Sequence, residues 1–208
     1  DGSGSMTCNV GSGTSVTALD VANALAIYFA ERSSGEFKDK YITFSERPQF
    51  VDFSNAKTLR DKIGIALRHN EVADTNIEAT FDLILQTAVN NHMAQEDIPQ
   101  NVLIVSDMEF NSATGYGRYA NETLFTIIAK KYAAHGYKLP RLVFWNVNSR
   151  TGTIPVKENE LGVALVSGFS VNIVNMVMSN KLDPYECLLD VLNVERYQVI
   201  EDAIKDIV

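Results

Sequence analysis

Asp1, Ser3 and Ser5 occupy alternate positions in the opening run Asp-Gly-Ser-Gly-Ser-Met. Alternate spacing in a glycine-punctuated loop turns one carboxylate and two hydroxyls toward a common point, and glycine tolerates the curvature this needs. These are hard oxygen donors with one formal negative charge. They suit Mg²⁺ or Mn²⁺ kept in an octahedron with several waters, whereas zinc and copper favour imidazole or thiolate. Two other loops bring oxygen atoms: Ala73-Asp74-Thr75-Asn76 ahead of a helix near Ile77, and Ser106-Asp107-Met108 directly after an apolar run. Asp1, Ser3 and Ser5 with oxygens from these two loops therefore form a candidate cation site, with no catalytic residue and no organic cofactor assigned.

Each residue also has a plainer role. Ser3 and Ser5 fit turns and caps, and Thr75 fits an N-cap with Asp74 favoured by the helix dipole. Enzyme signatures are missing. There is no Gly-x-x-x-x-Gly-Lys-Ser/Thr loop, neither Gly-Ser-Gly stretch completes Gly-x-Gly-x-x-Gly, and no serine sits in a Gly-x-Ser-x-Gly elbow. A metal-assisted phosphatase is the enzymatic alternative, because Asp1, Asp107 and Mg²⁺ could activate a nucleophile. Ser3 stands where the aspartyl-phosphate loop has its second Asp. The reading is a binding protein and not an enzyme. His69, His92 and His135 share no ligand spacing, Cys8 and Cys187 form no thiolate site, and Trp145 beside Leu142 and Phe144 reads as core.

Strands alternating with helices must position this set. Helices are expected over 16–32, 58–68 (Leu59, Ile63 and Leu67 at four-residue spacing), 77–89, 121–134, 170–179, 184–192 and 194–208. Short strands are expected at 40–44 and 49–53, and buried strands at 101–106, 141–146 and 162–166. The pattern predicts an α/β fold: a doubly wound, mainly parallel sheet flanked by helices on both faces, in one domain over residues 1–208. In such sheets ligands bind where loops leave the carboxyl ends of the strands.

Composition agrees with a globular protein: 208 residues, 46% hydrophobic and 21% charged. The net charge of −8 argues against wholesale nucleic-acid binding and suits a cation. It divides unevenly, with −8 over residues 1–117, +6 over 118–157, −1 over 158–182 and −5 over 183–208. No apolar run reaches the roughly 20 residues that span a bilayer, and a cytoplasmic location without membrane contact is expected.

Asp1-x-Ser3-x-Ser5, then Thr75 before the third helix, then Asp107 after the next apolar strand, resembles the metal-ion-dependent adhesion site of von Willebrand factor A (vWA) domains. The order of elements matches over essentially the whole chain. The resemblance implies a Rossmann-like fold in which Ser3 and Ser5 bind Mg²⁺ or Mn²⁺ through their hydroxyls. It implies that Thr75 and Asp107 bind directly or through water, and that Asp1 acts through water and by orienting the serines. A partner protein supplies an Asp or Glu to the remaining position. The insertion over 7–15 and Ser167-Gly-Phe-Ser170 resemble the vWA domain of Ro autoantigen (TROVE) proteins, while Ser106-Asp-Met-Glu-Phe110, Gly136-Tyr137, Phe144-Trp-Asn146 and Ser167-Gly-Phe169 resemble an uncharacterised family of TROVE-like layout. That likeness implies a chain that is the C-terminal part of a larger protein, following a helical domain, with an RNA-associated scaffold as the alternative function. The Thr75 loop departs from the family by lacking paired glycines, and Asp74 adds a carboxylate. A strand ahead of Asp1, supplied by an upstream segment, another molecule or another element, is expected to complete the sheet.

Overall fold

The computed structural model describes residues 1–70, 76–107, 118–148, 163–168, 171–179 and 183–205. The chain divides into two compact units, Asp1–Ser167 and Gly168–Val208. In the first unit α1 (Ala18–Ala30) starts at a capping box. Asp20 N–H donates to Thr17 Oγ1, and the Asp20 carboxylate accepts from the Thr17 N–H. The same Thr-x-x-Asp device, Thr58 with Asp61, starts α2 (Leu59–Arg68). Each box satisfies backbone donors that the first helical turn leaves without a partner.

The described strands form two sheets. β1 (Lys40–Ile42) and β2 (Phe50–Asp52) pair antiparallel, with Tyr41 opposite Val51. β3 (Asn101–Ser106), β4 (Arg141–Asn146) and β5 (Val163–Ser167) run parallel in the order β3-β4-β5. Their register aligns Ser106 with Asn146 and Asn146 with Ser167, so polar residues close the carboxyl ends of all three. The mixed α/β character is present. The single continuous sheet that was expected is replaced, among the described strands, by a three-stranded parallel sheet and a separate hairpin.

Alternation along β4 gives helices both of its faces. Leu142 and Phe144 join Phe81 and Leu85 of α3 (Ile77–Asn90) and Leu124, Phe125, Ile128 and Tyr132 of α4 (Arg118–Ala134) in the larger core cluster. Trp145, fully buried, meets Phe29 of α1 edge-on, with ring centroids 6.2 Å apart. A second cluster joins Ile27 and Ala30 of α1 to Val51, Phe53 and Ala66. β3 was expected to be buried on both faces, yet Val102 and Leu103 are only half-buried. Among the described residues it has a strand neighbour on one side only, which leaves its other edge less covered.

The second unit holds α5 (Val171–Met178), α6 (Pro184–Leu192) and α7 (Gln198–Lys205). Gly168 enters it at φ +101, where a Cβ would come 3.0 Å from Ile173 Cδ1. Asp183 caps α6 by accepting from Tyr185 and Glu186 N–H, with Pro184 in the first turn. The single helix expected over 194–208 is broken. Val194 is extended, a 3₁₀ turn follows over Glu195–Tyr197, and α7 begins only at Gln198.

Candidate metal centre

The opening loop is curved by hydrogen bonds. Met6 N–H donates to Ser3 O and Cys8 N–H to Ser5 O, forming a 3₁₀ turn over Gly4–Thr7, and Met6 is fully buried beneath it. Neither Gly2 nor Gly4 takes a positive φ, so the turn and not left-handed glycine supplies the curvature expected of them. The insertion that follows closes on itself: Val10 N–H donates to Val16 O, Ala18 N–H donates to Cys8 O, and Gly13 turns the tip at φ +84.

Asp1 lies beside the end of β3, its nitrogen donating to Val105 O at 3.2 Å. Both of its carboxylate oxygens are engaged. Oδ1 accepts Ser3 N–H at 2.9 Å, and Oδ2 accepts the Ser106 hydroxyl. Ser3 Oγ and Ser5 Oγ are hydrogen-bonded to each other at 3.0 Å, on half-buried residues. Asp107 follows Ser106 directly and is 1% exposed. Asp1, Ser3 and Ser5 are thus joined to one another and to the β3 terminus that carries Asp107. Thr75 and Asp74 lie outside the described residues, as does Glu109.

Two residues take roles that the sequence reading does not assign them. Ser106, fully buried, ties Asp1 to the sheet; its signal was a hydroxyl closing an otherwise apolar strand beside an Asp. Asn76, not Thr75, is the N-cap of α3, its Oδ1 accepting Ala79 N–H at 2.9 Å. The N-cap role weighed for Thr75 is therefore taken by its neighbour.

The atoms brought together are oxygen donors. Among the described residues no three His, Cys, Asp or Glu side chains cluster; the oxygens available are hydroxyls plus the carboxylates of Asp1 and Asp107. Oxygen donors of this kind are the type that hard divalent cations take.

Elsewhere the basic middle of the chain is partly neutralised. Lys131 Nζ lies 2.8 Å from Glu78 and 2.8 Å from Asp82, joining α4 to α3. Hydrogen bonds to Asp82 and Glu78 raise its pKa. Tyr132 is buried in the core, its hydroxyl donating to Phe81 O at 2.9 Å.

A family model described as "Domain of unknown function (DUF7788)" matches residues 1–203, and the chain belongs to that family. It is 31% identical over 176 residues to "Uncharacterized protein L728" of Acanthamoeba polyphaga mimivirus, covering 84% of this chain and 30% of that protein. The chain thus spans less than a third of the length of this curated relative. Among solved structures, the SpRpn10 VWA domain aligns at a TM-score of 0.43 and 12% identity, over 88% of this chain and 91% of that one. No helix among the described residues is long and apolar enough to cross a membrane.

Proposed function

We propose that this chain is a vWA-like, doubly wound recognition domain that binds a partner protein through a divalent metal and catalyses no reaction. Ser3 and Ser5 hold Mg²⁺ or Mn²⁺ through their hydroxyls, Thr75 and Asp107 complete the protein ligands directly or through water, and Asp1 orients the serines. The bound cation supplies the attraction for a partner's Asp or Glu that an acidic chain otherwise lacks. One observation carries the reading: the hydroxyls of Ser3 and Ser5 converge, hydrogen-bonded at 3.0 Å, in a loop whose Asp1 is fastened to the end of β3. Asp1 spends both oxygens on Ser3 and Ser106, which suits an orienting role better than that of a nucleophile. The test is a calorimetric titration of Mg²⁺ and Mn²⁺ into the wild type and Asp107→Ala, with partner capture in buffer and in chelator. Loss of metal binding in the variant and of partners in chelator is expected. Unchanged metal binding removes the site, and partners retained in chelator remove the mechanism.

A further inference from the structure

Three of the four large apolar residues of α2 are turned to solvent. Leu59, Ile63 and Leu67 are 62%, 42% and 54% exposed, whereas Ala66 is fully buried and Ile65 packs against the second core cluster. The inner face is fixed further by Lys62, whose Nζ lies 2.8 Å from Glu31, the C-cap of α1. Isolated exposed leucines are ordinary. These three are not isolated, because four-residue spacing places them in one continuous row within about 80° of arc. Such a row is the ridge that packs into the groove of another helix.

The surroundings of the ridge select its partner. Arg60 and Arg68 follow it around the helix on one side, both exposed, and exposed Lys57 precedes it. The one acid of α2, Asp61, is committed to the capping box with Thr58. The ridge is therefore bordered by cations in a chain whose net charge is −8. Between the two arginines stands Gly64, where a Cβ would meet nothing nearer than Arg68 Nη1 at 3.9 Å. The fold does not need glycine there, and glycine in a helix interior costs roughly 0.5–1 kcal/mol relative to alanine. Its bare backbone lets a second helix approach closely.

We propose that the outer face of α2 is a docking surface for an amphipathic helix carrying acidic side chains beside its apolar ones. Leu59, Ile63 and Leu67 provide the apolar contact, while Arg60 and Arg68 set polarity and register. This surface works without the metal and stands independently of the proposed cation site. The test uses a labelled helical peptide of about 20 residues with leucine on one face and glutamate flanking it, a lysine-flanked twin, and anisotropy in chelator. The acidic peptide should bind the wild type saturably, and Ile63→Asn with Leu67→Gln should weaken it by about tenfold or more. Arg60→Glu with Arg68→Glu should reverse the preference toward the lysine peptide. All four positions are exposed, so these variants should keep the wild-type melting temperature. Three results overturn the proposal: no saturable binding of the acidic peptide, equal binding of its lysine twin, or a wild-type dimer that the Ile63→Asn/Leu67→Gln chain loses, which would make the occupant a second copy.

Discussion

Ser106 donates its hydroxyl proton to the Asp1 carboxylate, linking residues 105 positions apart in the sequence. The bond fastens the opening loop to the carboxyl end of β3, and Asp1 passes that order to Ser3 through its N–H. Groups that orient metal ligands without touching the ion typically change affinity by about 10–100-fold when removed. Ser106→Ala should accordingly lower Mg²⁺ affinity by about tenfold while every proposed ligand remains. Calorimetry checks this, and an unchanged affinity would detach Ser106 from the site.

Ligand type gives a second expectation. The proposed site holds its ion through hydroxyls with few carboxylates, which suits Mg²⁺ or Mn²⁺ keeping several waters, whereas Ca²⁺ takes roughly six to eight oxygens, commonly several carboxylates. Competition should show Ca²⁺ displacing Mn²⁺ at least about tenfold less effectively than Mg²⁺ does. Tighter binding of Ca²⁺ would contradict the proposed ligand set.

A third expectation concerns pH. Lys131 has a folded pKa above its usual value through Asp82 and Glu78, so its contribution is full below about pH 10.5 and lost as pH rises through the folded value. Lys131→Met should destabilise the first unit by about 0.5–1 kcal/mol at neutral pH, because the pair is exposed and leaves two carboxylates facing one another. Denaturant melts of both proteins should converge only once pH passes the raised pKa of Lys131. A difference that persists there would assign the effect to packing.

The core offers a fourth. Tyr132 is fully buried and its hydroxyl bonds Phe81 O, while burial and Asp82 push its pKa up. Tyr132→Phe should cost about 1 kcal/mol and Tyr132→Ala about 3–5 kcal/mol in urea unfolding. Equal losses would show that the hydroxyl, and not the ring, holds α4 against α3.

Much of this was legible because the signals are local. Apolar runs marked β3 and β4 to the residue, and the alternate hydroxyls of the opening loop announced a shared point that Ser3 and Ser5 occupy. What failed to show depended on distant partners. Ser106 reads in the sequence as the tail of a strand, whereas in the fold its hydroxyl donates a hydrogen bond to Asp1. The four-residue row of Leu59, Ile63 and Leu67 marked α2 correctly as a helix, yet periodicity cannot say which side faces the core. Small residues on the other side, Ala66 above all, allow the close approach to α1 that decided it. The late start of α7 leaves no mark in the sequence, because Glu195, Arg196 and Tyr197 suit a helix and yet form a 3₁₀ turn ahead of it.

The metal claim is tested most directly by titrating Mn²⁺ into the chain and following the electron paramagnetic resonance signal of the unbound ion. One Mn²⁺ per chain should bind, Mg²⁺ should displace it, and the double variant Ser3→Ala/Ser5→Ala should leave the signal as strong as in buffer. A double variant that takes up Mn²⁺ as the wild type does would contradict the account.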